Sequence, residues 1–226
     1  MKIPLVLVSG LASDESVWKH QAAHLGDVAS IQVVCPSGDT TEKMVGEILE
    51  GAPPMFALAG HSMGGWLCLE LMRKAPERVS QLCLLNVSAR EDSDEKRGRR
   101  VRMIERAERG EYGQVARELA ERFVYQPTVV AEVEKMLLGR GKEVFISQER
   151  AMLGRGECLS VLAEISCPTL VIHAAQDKNF GLQEHVEIVE EIYNSKLAVV
   201  EDSGHMSPME MPQAVTMLLR YWLTYF

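Results

Sequence analysis

With 226 residues, the chain has room for one α/β domain with an insertion and a sizeable buried core. Its 46% hydrophobic and 25% charged content is ordinary for a soluble globular protein. The formal net charge of −8 argues against a general nucleic-acid binder, which is usually basic.

The first element is a buried parallel strand at residues 3–8, apolar and β-branched without alternation. It is too short and too soon interrupted for a signal peptide or a membrane span. Val8–Ala12 then turns, and Ser13 is expected to cap a helix carrying Val17, Trp18, Ala22 and Leu25. A second strand, 31–35, ends at Pro36-Ser37-Gly38. Asp39 or Thr40 caps a helix through Met44, Val45, Ile48 and Leu49, and Gly51 stops it. The third strand is 55–60, followed by a helix to Pro76, and the fourth is 79–85.

Beyond the fourth strand the pattern changes. From Ser88 to Ile165 the chain is charged, Gly-punctuated and helical, with Val115, Leu119 and Phe123 on one stripe and Val129, Val133, Met136 and Leu137 on another. Strands return at 169–173 and 196–200, each followed by an amphipathic helix, around 186–193 and 214–225. Alternating β–α units with short connections imply a doubly wound, mainly parallel six-stranded sheet. The division is then 1–87 for the first part of the core, 88–165 for an inserted all-helical lid, and 166–226 for the second part. Five scattered cysteines in apolar contexts have no paired spacing, which points to core thiols and the reducing cytoplasm.

The chemistry concentrates at Gly60-His61-Ser62-Met63-Gly64, between the third strand and its helix. A Gly-x-Ser-x-Gly corner there is so tight that the serine sits in strained backbone, while the glycines remove side chains that would collide. Ser62 is thereby presented at the strand tip, with a helix N-terminus behind it that favours developing negative charge.

A serine hydroxyl needs a base and an anion to orient that base. Among six histidines, His205 is the best placed, in a Gly-preceded turn after the last strand. His20 and His24 are four apart on a helix but lack a third metal ligand and read as a surface or half-buried pair. His61 fills the corner, His173 reads as a strand-end core residue satisfied by backbone, and His185 as a helix-surface residue. Asp177 follows the fifth strand and is favoured as the anion; Asp202 is expected to shape its own turn, and Asn86, ending the fourth strand, cannot supply charge.

The order Ser62…Asp177…His205, the Gly-His-Ser-Met-Gly-Gly corner and the Gly204–Pro212 segment Gly-His-x-Ser-Pro-x-Glu-x-Pro resemble the α/β-hydrolase superfamily over essentially the whole chain. The resemblance implies a sheet lacking the family's first two strands, ordered 2-1-3-4-5-6. The frequent His-Gly after the first motif strand is Ser9-Gly10 here, with no glycine run of the lipase kind. It also implies an oxyanion hole from the backbone N–H groups of Leu11 and Met63, the latter following the nucleophile.

The expected activity is hydrolysis of a small-molecule carboxylic ester or thioester through an acyl-enzyme on Ser62, without cofactor, metal, nucleic acid or membrane. Two alternatives stay open: a carbon–carbon bond hydrolase or lyase using the same three residues, and a non-catalytic hydrolase fold that binds a ligand. Met63, Met206, Met209 and Trp18 are candidates either for an apolar acyl pocket or for ordinary places in the core. The basic run Lys96–Arg102 follows Glu91, Asp92, Asp94 and Glu95 and reads as a solvated helix start, although it is also the feature that would grip an anionic substrate.

Overall fold

A computed structural model describes residues 2–226. Six strands, β1 (Ile3–Val8), β2 (Ala29–Val34), β3 (Phe56–His61), β4 (Val79–Leu85), β5 (Thr169–Ala174) and β6 (Ser195–Val200), form one parallel sheet in the order β2-β1-β3-β4-β5-β6. The predicted order is the observed one. β3 and β5 are buried along their whole length, so both faces of the sheet are covered, as parallel strands require. Edge strands β2 and β6 are half-exposed.

The strand limits differ slightly from the sequence reading. β2 begins at Ala29, because Ala29 pairs opposite Ile3 and extends the ladder two residues upstream. Met55 is 59% exposed and lies outside β3, which starts at the buried Phe56.

Helices α1 (Lys19–His24), α2 (Thr41–Glu50), α3 (Met63–Lys74), α9 (Leu182–Glu191), α10 (Ser207–Glu210) and α11 (Pro212–Tyr225) flank the sheet. α2 packs on α3, and α1 packs on α11. Thr40 Oγ1 accepts from Lys43 N at 3.3 Å to start α2, and Gly51 ends it, as expected. The first helical turn departs from the reading. Asp14, not Ser13, is the cap: its Oδ1 accepts from Ser16 N at 2.8 Å, opening a short 3₁₀ turn at Glu15–Trp18 before α1. The Ser13 hydroxyl instead donates back to Leu11 O.

Between β4 and β5 lie α4 (Asp94–Arg106), α5 (Tyr112–Phe123), α6 (Val130–Arg140), α7 (Lys142–Leu153) and the single turn α8 (Leu159–Leu162). Among the described residues this insertion contains no strand. Its apolar stripes face inward, with Val115, Leu119, Val133, Met136 and Leu137 all buried.

Candidate active site

Ser62 sits between β3 and α3 at φ 57° and ψ −120°, a backbone conformation that costs of order 1–3 kcal/mol for a non-glycine residue. Its neighbours hold it there. Ser62 N donates to Leu85 O at 2.9 Å, and Trp66 N donates to Ser62 O at 3.1 Å. A Cβ at Gly60 would stand 2.4 Å from Gly64 O, and one at Gly64 would stand 2.4 Å from Val8 O. The corner closes only because both positions lack side chains.

The loops after β5 and β6 deliver two more side chains to the same point. His205 Nε2 lies 2.8 Å from Ser62 Oγ, and His205 Nδ1 lies 2.8 Å from Asp177 Oδ2. With Nδ1 against a carboxylate, the ring hydrogen belongs on Nδ1, which leaves the Nε2 lone pair for the serine proton. Asp177 accepts two further hydrogen bonds, from Asn179 N at 2.7 Å and from Asn86 Nδ2 at 3.1 Å. Burial opposes ionisation of Asp177, but His205 and these donors outweigh it and hold the carboxyl down at about 2.

Several residues to which the sequence reading gave no such part fix these loops. Gln176 stitches the two together: its N–H donates to Ser203 O, and its Oε1 accepts from Ser203 N, both at 2.9 Å. His61 Nε2 donates to His205 O at 2.7 Å, and burial followed by the nearby His205 pushes the His61 imidazole down to about 3, so it stays neutral. Glu210, the acid of the Gly204–Pro212 segment, accepts from Met206 N at 3.1 Å with one oxygen and from Tyr125 N and Gln126 N with the other. Asn86, at φ 50°, accepts from Ser207 Oγ at 2.7 Å while its amide serves Asp177.

Leu11 and Met63 line the same cleft as Ser62 and His205. Among the described residues neither N–H has a protein acceptor, whereas the adjoining Ala12 N donates to Gln148 Oε1 at 2.6 Å. Gln148 lies on α7, fully buried, and its amide donates to Pro36 O. It therefore braces the Leu11–Ala12 turn, where Ala12 adopts φ 46°.

Four expectations need correction. Of the proposed pocket residues only Met63 lines the cleft. Trp18 and Met206 are buried in the core, the other role open to them, and Met209 borders a separate groove beside α1. The apolar walls come instead from Met103, Leu119, Phe123, Met152 and Phe180. The basic run is not simply a solvated helix start, because Lys96, Arg99 and Arg100 turn into the cleft with Arg122 and Arg155; the i, i+3, i+4 spacing puts these three on one face of α4. His185 is fully buried, with Nε2 accepting from Val87 N at 3.3 Å. His173 stacks obliquely on it at 4.6 Å and leaves Nδ1 without a partner, so backbone does not satisfy that atom.

Among the described residues no group of three His, Cys, Asp or Glu side chains is arranged to hold a metal ion. His20 and His24 stack at 4.0 Å on the flank of α1. No helix there is long and apolar enough to cross a membrane.

A model of the alpha/beta hydrolase family matches residues 5–217. In sequence the chain is 27% identical to 3-oxoadipate enol-lactonase 2 of Acinetobacter baylyi, over 93% of this chain and 84% of that protein. In structure it resembles a thermophilic esterase from Thermogutta terrifontis, solved with malate bound, at 30% identity and a TM-score of 0.90, covering 99% of this chain and 90% of that one. An enol-lactonase from Burkholderia xenovorans LB400 superposes with a TM-score of 0.88 at 22% identity, over 99% and 92% of the two chains, a likeness of fold.

Proposed function

The chain belongs to the α/β-hydrolase family, and from that premise we propose that it is a serine hydrolase cleaving a small-molecule carboxylic ester or thioester through an acyl-enzyme on Ser62. The observation that carries the reading is the unbroken line from Asp177 Oδ2 through the His205 ring to Ser62 Oγ, with both contacts at 2.8 Å. His205 Nε2 takes the serine proton as Oγ attacks the acyl carbonyl, and Asp177 holds the resulting imidazolium. The unpaired N–H groups of Leu11 and Met63 receive the oxyanion. The imidazolium then gives its proton to the leaving alcohol or thiol. Water, deprotonated by the same nitrogen, releases the acid and restores Ser62.

The relatives fit this reading. One is an esterase and two are enol-lactonases, and a lactone is an internal ester. Residues 88–165 act as the lid over a core made of 1–87 and 166–226, and they choose the substrate through α4, α5 and α7. The five free thiols suit a reducing cytoplasm. Carbon–carbon cleavage would recruit the same three residues, and turnover of a carboxylate-bearing diketone in preference to every ester would favour it.

The test is covalent labelling by a fluorophosphonate together with release of phenol from phenyl esters. The native chain labels at Ser62 and turns esters over, while Ser62→Ala does neither. Wild-type turnover by Ser62→Ala would remove the reading.

A further inference from the structure

The cleft above Ser62 is cationic in a chain of net charge −8. Five basic side chains line it, and they divide into two kinds. Arg100 is neutralised by Asp92 and Glu149, each at 2.6 Å, and Arg155 lies 3.8 Å from Asp92 while donating to Ser88 O. Among the described residues the other three meet no carboxylate within ion-pair distance.

Lys96 Nζ reaches only Asn179 O at 3.3 Å and the face of Phe180. Arg122 donates to Asn179 Oδ1 and Lys178 O, both neutral. Arg99 has no acceptor at all among the described residues. Burial, then the Arg122 and Arg100 guanidinium groups, lower its pKa, and the fields of Glu95 and Asp92 only partly offset them, so like charges are crowded there with no carboxylate in contact. The acids that precede these bases in sequence pair with none of the three: Glu91, Asp94 and Glu95 are exposed, and Asp92 is engaged by Arg100. On the same wall the Asn179 amide nitrogen is buried with no acceptor.

Uncompensated, half-desolvated cations are costly, and a free donor beside them is a further cost that an anionic guest relieves. We propose that Arg99, with Lys96, Arg122 and Asn179, forms a carboxylate subsite, so that the substrate carries a free carboxylate besides the acyl group that Ser62 attacks. This rests on the serine-hydrolase reading above. The guanidinium fork matches the two oxygens of a carboxylate, and Arg99 is the specificity-determining residue because its fork is unoccupied. A cleft of net positive charge with low-dielectric walls also concentrates anions from solution.

Two matched pairs of esters test the assignment on either half of the substrate: monophenyl adipate against phenyl hexanoate, and 3-carboxyphenyl butyrate against phenyl butyrate. In at least one pair the charged ester is expected to lead by about 10–100-fold in kcat/KM, the range a charge-assisted contact supplies. Arg99→Gln brings that ratio toward one through KM, and Arg99→Lys restores part of it. Calorimetric titration of Ser62→Ala with adipate, and of the Ser62→Ala/Arg99→Gln double variant, reads the subsite without turnover.

Adipate binding that needs Arg99, in a chain that neither labels at Ser62 nor cleaves esters, keeps the subsite and removes the hydrolase. Ser62 labelling with both members of each pair cleaved alike, or a ratio that Arg99→Gln leaves intact, overturns the subsite and spares the hydrolase. Binding of inorganic phosphate in place of adipate overturns the carboxylate assignment.

Discussion

Asp177→Asn is the most informative single change, because every group around this side chain is a donor. Oδ1 accepts from Asn179 N, and Oδ2 accepts from His205 Nδ1 and Asn86 Nδ2. Asparagine offers one acceptor oxygen where three donors converge. If the oxygen faces Asn179, the amide NH₂ faces His205 and drives its hydrogen to Nε2, where it meets the serine hydroxyl and cannot take a proton. If the oxygen faces His205, the Asn179 N–H is left against another donor. In serine proteases the same exchange lowers kcat by about 10⁴, and at about 1.4 kcal/mol per decade that is about 5–6 kcal/mol of lost transition-state stabilisation. We expect a fall of about 10³–10⁴ in kcat for phenyl ester hydrolysis with little change in KM, in a protein whose circular dichroism matches the native chain. A kcat within tenfold of the native value would show that the Asp177 charge does not orient the imidazole.

Three further outcomes follow from the same hydrogen bonds. Gln148→Leu strands Ala12 N and Pro36 O in the interior and loosens the turn bearing Leu11; kcat should fall about 10–100-fold, less than the 10²–10³ seen when an oxyanion donor is lost outright, and an unchanged kcat would free the Leu11 turn from α7. Glu210→Ala leaves Met206 N, Tyr125 N and Gln126 N without their acceptor and should lower unfolding stability in urea by about 2–5 kcal/mol, a cost that a surface carboxylate would not show. Asp177 has its carboxyl depressed from 3.8 to about 2 in the fold, so its ionised form stabilises the native state above about pH 4 and that stabilisation, about 2 kcal/mol, is lost as pH falls toward 2; the thermal stability of Asp177→Asn should be flatter than that of the native chain across this window.

The sheet was legible because its signals are local. An apolar run followed by a capped helix recurs along the chain, and strand order follows from short right-handed connections. Ser62, Asp177 and His205 could be named together because all three stand at strand ends, where the topology leaves few other places for a base and an acid. What could not be read depended on contacts between distant segments. His185 carries an ordinary helix-surface pattern, yet its ring is buried against Val87, about a hundred positions upstream. Gln148 looks like one polar residue among many in α7, and only the fold brings it to Ala12 and Pro36. The basic run misled for a physical reason: adjacency in sequence suggested that the preceding acids cancel it, but on a helix the neighbours are three and four apart, so Glu91, Asp94 and Glu95 stay in solvent and Asp92 alone turns inward to pair with Arg100, while one face of α4 carries Lys96, Arg99 and Arg100 to the cleft.

The hydrogen bonds also bear on what the insertion does. His205 N donates to Phe123 O at the end of α5, Glu210 grips Tyr125 N and Gln126 N just beyond it, and Gln126 Nε2 donates to Asp202 O. On the opposite wall, Gln148 of α7 holds the turn that carries Leu11. The imidazole loop and the proposed oxyanion loop are thus each hydrogen-bonded to inserted helices and not only to the sheet. An insertion fastened at those two places cannot swing away as a unit without loosening the base and the oxyanion donor together. Any opening for substrate therefore falls between the fastened points, where α4 presents Arg99 and Met103 to the cleft. On that argument the segment that admits the substrate is also the one that reads its charge.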